Sequence, residues 1–213
     1  MAPRTIKSMA RGYALPTWLK WVYLGFVAVL VPTYAWWYGL ANFLWFSNVA
    51  LLLGLLGVWL ENRRLLSTQL ISTLVPETVW IVGFVGGLLR GGHPPLGVTA
   101  YMFDAEIPLF IRTLSLYHLV LPWLLLWLVW RLGYDRQALW YWIPAGWAIL
   151  LVTYFASSPE RNINFVFGPG YEVQDVIPAW AWLLVLFICV ALLWGATHLL
   201  ILKALAWLRR RAV

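Results

Sequence analysis

Two side chains in this sequence are suited to moving protons and stand where hydrocarbon is expected. His118 lies in "LSLYHLVLPWLLLWLVW" and Glu77 in "TLVPETVW". An imidazole beside a carboxylate can abstract and return a proton. An ionisable group inside an apolar segment is costly enough to be a functional hypothesis by default. Asn48 in "LWFSNVALL" and Thr153 add an amide and a hydroxyl. Measured from the basic end of each segment at 1.5 Å per residue, all four lie at a common height of roughly 18–22 Å. We therefore take His118, Glu77 and Asn48 as the candidate catalytic group. His118 would be the base, and Ser47, Ser115 or Thr153 a possible nucleophile. Arg112, Ser115, Thr153, Asn162 and Asn164 are the candidate substrate-binding residues.

Each feature also has a structural reading. Pro76 removes a helical hydrogen bond just before Glu77 and predicts a break or kink there. That kink could serve packing alone, with Glu77 protonated or paired. Arg112 is six residues from His118, about 120° away around a helix, and can snorkel or pair with Asp104 or Glu106. In the loop "SPERNINFVFGPG", Glu160, Arg161, Asn162 and Asn164 can close a cap by salt bridge and amide hydrogen bonds. The acidic residues of the loops match no cation-binding spacing. His198 lies more than two turns below His118, a mismatch that argues against paired haem ligation. Neither a metal nor a cofactor is implied. The one cysteine, Cys189, excludes an internal disulfide and reads as a small buried hydrophobe.

The elements that must position these residues follow from composition. The chain has 213 residues, 63% hydrophobic and 11% charged, against about 25% charged in soluble domains. Six apolar segments, near 18–40, 43–60, 65–89, 108–131, 138–157 and 177–203, approach the roughly 20 residues needed to cross a bilayer. The expectation is an all-α, polytopic six-helix membrane bundle forming a single domain, residues 1–213. With six spans, Arg4, Lys7, Arg11, Lys20, Arg63, Arg64, Arg131, Arg136, Lys203, Arg209, Arg210 and Arg211 fall on one side. Arg90 and Arg161 fall on the other, with Asp104, Glu106, Glu160, Glu172 and Asp175. The positive-inside rule puts both termini in the cytoplasm, in a plasma membrane or bacterial inner membrane. The net charge of +7 then reflects topology and contact with anionic lipid. The basic residues hug helix ends rather than line one patch, so no nucleic-acid partner is expected. Membrane lipids and partner membrane subunits are. Tryptophans near the segment ends, Trp45, Trp142 and Trp182 among them, read as an interfacial belt.

Three motifs together resemble a known superfamily. An Asx residue stands in the second helix ("FLWFSNVALL"), a histidine four residues before a proline in the fourth ("YHLVLP"), and "NINFVFG" after the fifth. This resembles the six-span membrane superfamily of the androgen-induced fatty-acid-ester hydrolases and related transmembrane acyltransferases. The resemblance implies hydrolysis of a lipid ester with His118 as the catalytic histidine. The hydrolases' threonine position falls on Trp45, and the nearest hydroxyl is Ser47. Two other classes stay open: an accessory or structural membrane subunit, and a small proton-coupled transporter. No inverted repeat relates the two halves, which weighs against the transporter.

Overall fold

A computed structural model describes residues 14–170 and 175–211. Arg4, Lys7, Arg11 and Glu172 lie outside the described residues, as do the side chains of Arg209 and Arg211. Among the described residues the chain is helical and has no strand. It comprises α1 (Thr17–Trp37), α2 (Phe46–Trp59), α3 (Arg63–Leu89), α4 (Leu109–Leu114), α5 (Tyr117–Leu132), α6 (Ala138–Ala156) and α7 (Ala179–Arg211). Short 3-10 turns sit at Leu40–Leu44, Gly97–Met102 and Ile163–Phe165.

Five segments are long and apolar enough to cross a bilayer: α1, α3, α4 with α5, α6, and α7. That is the length and composition of a multi-pass membrane protein. The second expected span is shorter, because α2 has 14 residues and reaches only about 21 Å. The chain before it is a 3-10 turn rather than another turn of α-helix.

The α2–α3 junction is fixed by local chemistry. Asn62 N–H donates to Gly57 O at 2.9 Å and Glu61 N–H to Val58 O, with Glu61 at φ +49°. This pattern of two crossed bonds ends a helix on a left-handed residue. The next residue, Asn62, accepts from Leu65 N–H and caps α3. Glu61 then turns its carboxylate onto α1, accepting from Lys20 Nζ at 2.7 Å and from Leu15 N–H. At the same end of the bundle Arg64 donates to Asp135 at 2.9 Å, and Tyr134 meets His198 Nδ1 at 2.5 Å. The start of α1, the α2–α3 and α5–α6 turns and the later part of α7 thus share one end. The three 3-10 turns gather at the other.

Packing places the most polar helix innermost. α3 touches α2, α5, α6 and α7, and its spanning window is 44% buried against 28% for α1, α6 and α7. Its Ser67, Gln69, Ser72, Thr73 and Glu77 are all buried, while Val22, Val29, Ile188 and Leu192 of α1 and α7 face outward. Polar residues inside and apolar residues outside is the arrangement that hydrocarbon selects. α6 and α7 meet where Gly146 has no side chain, since a Cβ there would lie 2.3 Å from the buried Trp194 ring.

Three expectations need correction. α3 runs unbroken through Pro76. The interruption falls in the fourth span, between α4 and α5, where Leu116 N–H bonds Thr113 O and His118 N–H bonds Ser115 O in tight three-residue steps. Trp142 is core rather than belt, packed edge-to-face on Trp194 and Phe46, and Trp45 and Trp182 are half-buried. Cys189 is exposed, because α7 turns that face outward.

Candidate functional site

Pro76 is the central residue of α3, so Glu77 stands about 20 Å from either end of the helix. It is 2% exposed, and its Oε2 lies 2.6 Å from His118 Nδ1. The tight step at Ser115–Leu116, with αR dihedrals at both residues, immediately precedes the histidine that meets that carboxylate. The imidazole is stacked on Trp80, with centroids 4.6 Å apart and 21° between planes, and on Tyr117, at 4.1 Å and 25°. Among the described residues Nε2 has no hydrogen-bond partner.

Both residues open onto a cavity of about 1010 Å³ at the 3-10-turn end of the bundle. It is bounded by α3, α5 and α7 and roofed by the loops around Asn42, Tyr101 and Asn164. A second chain of bonds braces the wall opposite Glu77. Tyr117 Oη donates to Asn48 Oδ1 at 2.9 Å, and Asn48 Nδ2 donates to Asn42 O at 2.8 Å. Asn48 therefore fixes the ring on which His118 stacks and does not touch His118. Ser115 Oγ and Tyr34 Oη lie 2.6 Å apart. One hydroxyl proton joins them and the other is left to donate elsewhere. Pro76 and Pro122 also remove the helical N–H partners of the Ser72 and His118 carbonyls, and both residues line the cavity. Ser72 Oγ is itself buried without a partner.

The expected site residues divide accordingly. Asn48, Glu77, Ser115, His118 and Asn164 line the cavity; Arg112, Thr153 and Asn162 do not. Thr153 donates its hydroxyl to Ile149 O one turn back, so it has no proton to offer a ligand. Arg112 donates to Met102 O at 3.1 Å and makes no ion pair with Asp104 or Glu106. Asn162 holds its own loop, bonding Gly168 O, Gly170 O and Phe167 N–H. Asn164 carries the roof, with Oδ1 accepting from Phe46 N–H and Nδ2 donating to Leu44 O. The cap closes by amides as expected, without the salt bridge, because Arg161 pairs with no carboxylate among the described residues. His198 stays on Tyr134, away from this cavity.

Tyr34, Trp80 and Tyr117 are site residues that sequence reasoning passed over. In a chain with 17 Trp and 10 Tyr, no single ring stands out. The one available signal was adjacency, Tyr117 beside His118 and Trp80 three residues after Glu77.

With Glu77 ionised, Nδ1 carries the imidazole proton and Nε2 presents its lone pair to the cavity, the orientation of a general base. Among the described residues no three His, Cys, Asp or Glu side chains are grouped to hold a metal ion. No protein family, curated protein or solved structure matches this chain.

Proposed function

We propose that this protein is a six-span membrane protein that binds a lipid ester in the cavity and hydrolyses it with Glu77–His118 as general base. The observation that carries the reading is the 2.6 Å Glu77–His118 contact at the wall of a largely apolar cavity, with Nε2 unpaired among the described residues. In the proposed reaction Nε2 takes a proton from water and the water oxygen attacks the ester carbonyl carbon. The tetrahedral intermediate then expels the alkoxide, which takes the proton back from the imidazolium. A carboxylic acid and an alcohol are released and His118 is neutral again. Glu77 orients the ring and stabilises the transient cation. The free proton of the Ser115–Tyr34 pair is available to the ester's oxygen. The superfamily resemblance of "YHLVLP" supports the same role for His118.

In this reading α2 and the preceding turn make the sixth crossing. Both termini are cytoplasmic, which sets Lys20, Arg63, Arg64, Arg131 and Arg136 on the cytoplasmic side of a plasma or bacterial inner membrane. Reporter fusions at Gly92 and Val213 should report opposite sides, and a C-terminal reporter outside the cytoplasm would overturn this topology.

The activity is tested with purified protein in nanodiscs and a panel of long-chain esters, reading released fatty acid. His118→Ala should lose about 10²–10⁴-fold of the turnover, the usual contribution of a general base. Esters left intact by the wild type, with lipid composition unchanged in cells lacking the protein, would turn the reading toward an accessory subunit.

A further inference from the structure

The two ends of the cavity differ in chemistry. At the roof stands Arg161, half-buried and lining the cavity. It lies beside Gly39, where a Cβ would be 3.9 Å from its Nη1. Its guanidinium has no acceptor among the described residues. A half-buried guanidinium with no acceptor among these residues has its five N–H donors free to take one from a ligand. Asp104 also lines the cavity, but it is exposed and its Oδ1 is taken by Glu106 N–H. Asp104 keeps its charge and has no ion-pair partner among the described residues, but it stands out in solvent, whereas Arg161 is the half-buried charge at the roof.

The other end is apolar and open sideways. Val75 and Val79 of α3 and Leu186, Cys189, Val190 and Leu193 of α7 line it. Val79 and Cys189 are also exposed, and Ile188 and Leu192 beside Cys189 on α7 are exposed without lining the cavity. A residue that both lines a cavity and faces outward marks a mouth, and here that mouth lies between α3 and α7, toward the bilayer. Glu77 lies between Val75 and Val79 in sequence, so mouth and dyad share a height on α3.

We infer that the cavity takes an acyl lipid with an anionic head group. The head sits on Arg161 beneath the loops, and the acyl chain leaves between α3 and α7 into hydrocarbon. A phosphate or carboxylate is the acceptor a guanidinium takes best, through two parallel hydrogen bonds. An uncharged acylglycerol leaves it unpaired. The bond joining head to chain is then held beside His118 Nε2. The inference rests on the hydrolase reading for the site's purpose, but the binding itself does not require turnover.

A photo-crosslinkable, ether-linked lysophosphatidate with a diazirine in its chain separates the two, because the ether cannot be hydrolysed. In nanodiscs of zwitterionic lipid it should label 75–79 of α3 and 186–193 of α7 at least fivefold more than the matching glycerol ether without phosphate. Arg161→Gln should bring labelling down to that of the glycerol ether, while Arg161→Lys keeps most of it. Since Arg161 makes no side-chain bond among the described residues, its variants should melt with the wild type. Labelling spread evenly over the outer faces of α1 and α6, or unchanged in Arg161→Gln, would overturn the inference. So would displacement of the probe by inorganic phosphate as effective as by unlabelled lysophosphatidate. Site-specific cross-linking without ester turnover would remove the hydrolase reading alone. Turnover indifferent to Arg161 would remove this inference alone.

Discussion

His118→Ala should cost stability as well as chemistry, and the two losses can be told apart. The substitution takes the partner from a carboxylate that is 2% exposed. Removing the donor from a buried carboxylate held by a charge-assisted hydrogen bond costs about 3–5 kcal/mol, because the remaining charge is left without its partner. Glu77 borders a cavity, and water can enter or the acid can take up a proton, so the lower end, about 3 kcal/mol, applies. Loss of stacking on Trp80 and Tyr117 adds roughly 0.5–1.5 kcal/mol for each ring pair. The single mutant should therefore lose about 4–6 kcal/mol. Glu77→Gln keeps an acceptor for Nδ1–H and should lose less, about 1–3 kcal/mol. In the double mutant Glu77→Gln/His118→Ala no buried charge is stranded, so its cost should fall about 1–3 kcal/mol short of the sum of the singles, the coupling range for residues in contact. Reversible unfolding of all four proteins in the same detergent measures this. A coupling below about 0.5 kcal/mol, the usual scatter of independent sites, would refute the buried pair, and with it the base assigned to the cavity. A normal coupling with His118→Ala still turning over ester would refute only the catalytic role.

Other consequences are as direct. Gly146→Ala places a methyl against the rigid, buried Trp194 and should cost about 1–3 kcal/mol; because Trp194 also lines the cavity, lipid retention measured by native mass spectrometry should fall with it. Asn164→Ala strands Phe46 N–H and Leu44 O and puts alanine at φ +52°, so a loss of about 2–3 kcal/mol and faster proteolysis of the roof loops are expected. At the opposite end, the hydrogen bond from Lys20 holds the Glu61 carboxyl below its ordinary 4.5. Burial raises the Asp135 carboxyl, but its bonds to Arg64 and to Gln137 N–H outweigh that and leave it below 3.8. Both contributions are complete above about pH 5 and disappear as pH falls through the lowered folded-state values, so melting temperature should drop below pH 4 in the wild type and less steeply in Glu61→Gln/Asp135→Asn.

The parts of this molecule legible in its sequence are those governed by solvent. Long apolar segments mark helices because backbone groups must be paired internally in hydrocarbon. Height along those helices was equally legible: counting residues brings Asn48, Glu77 and His118 to one level, and all three line one cavity. Rotation was not. Thr153 has the right height, yet its hydroxyl folds back on Ile149 O, which only the side-chain rotamer decides. Arg112 was readable as a polar residue near a helix end, but not its choice of the Met102 carbonyl over two nearby carboxylates.

The misplaced helix break shows why rotation was out of reach. Proline was expected to interrupt α3, but a helix packed on four neighbours tolerates one lost hydrogen bond when the freed carbonyl borders a cavity that water can enter. The real break, at Ser115–Leu116, contains neither proline nor glycine. It is held by the tertiary contact of Ser115 with Tyr34, a residue 81 positions away, and by the short Glu77–His118 bond just after it. Both ends of the break are thus secured by the residues that form the site. An unbroken 108–131 helix, without these overwound steps, would turn His118 to a different azimuth. The interruption is then a consequence of assembling the dyad, and Ser115→Ala, which removes the Tyr34 contact, should weaken the Glu77–His118 coupling measured in the double-mutant cycle by more than it lowers overall stability.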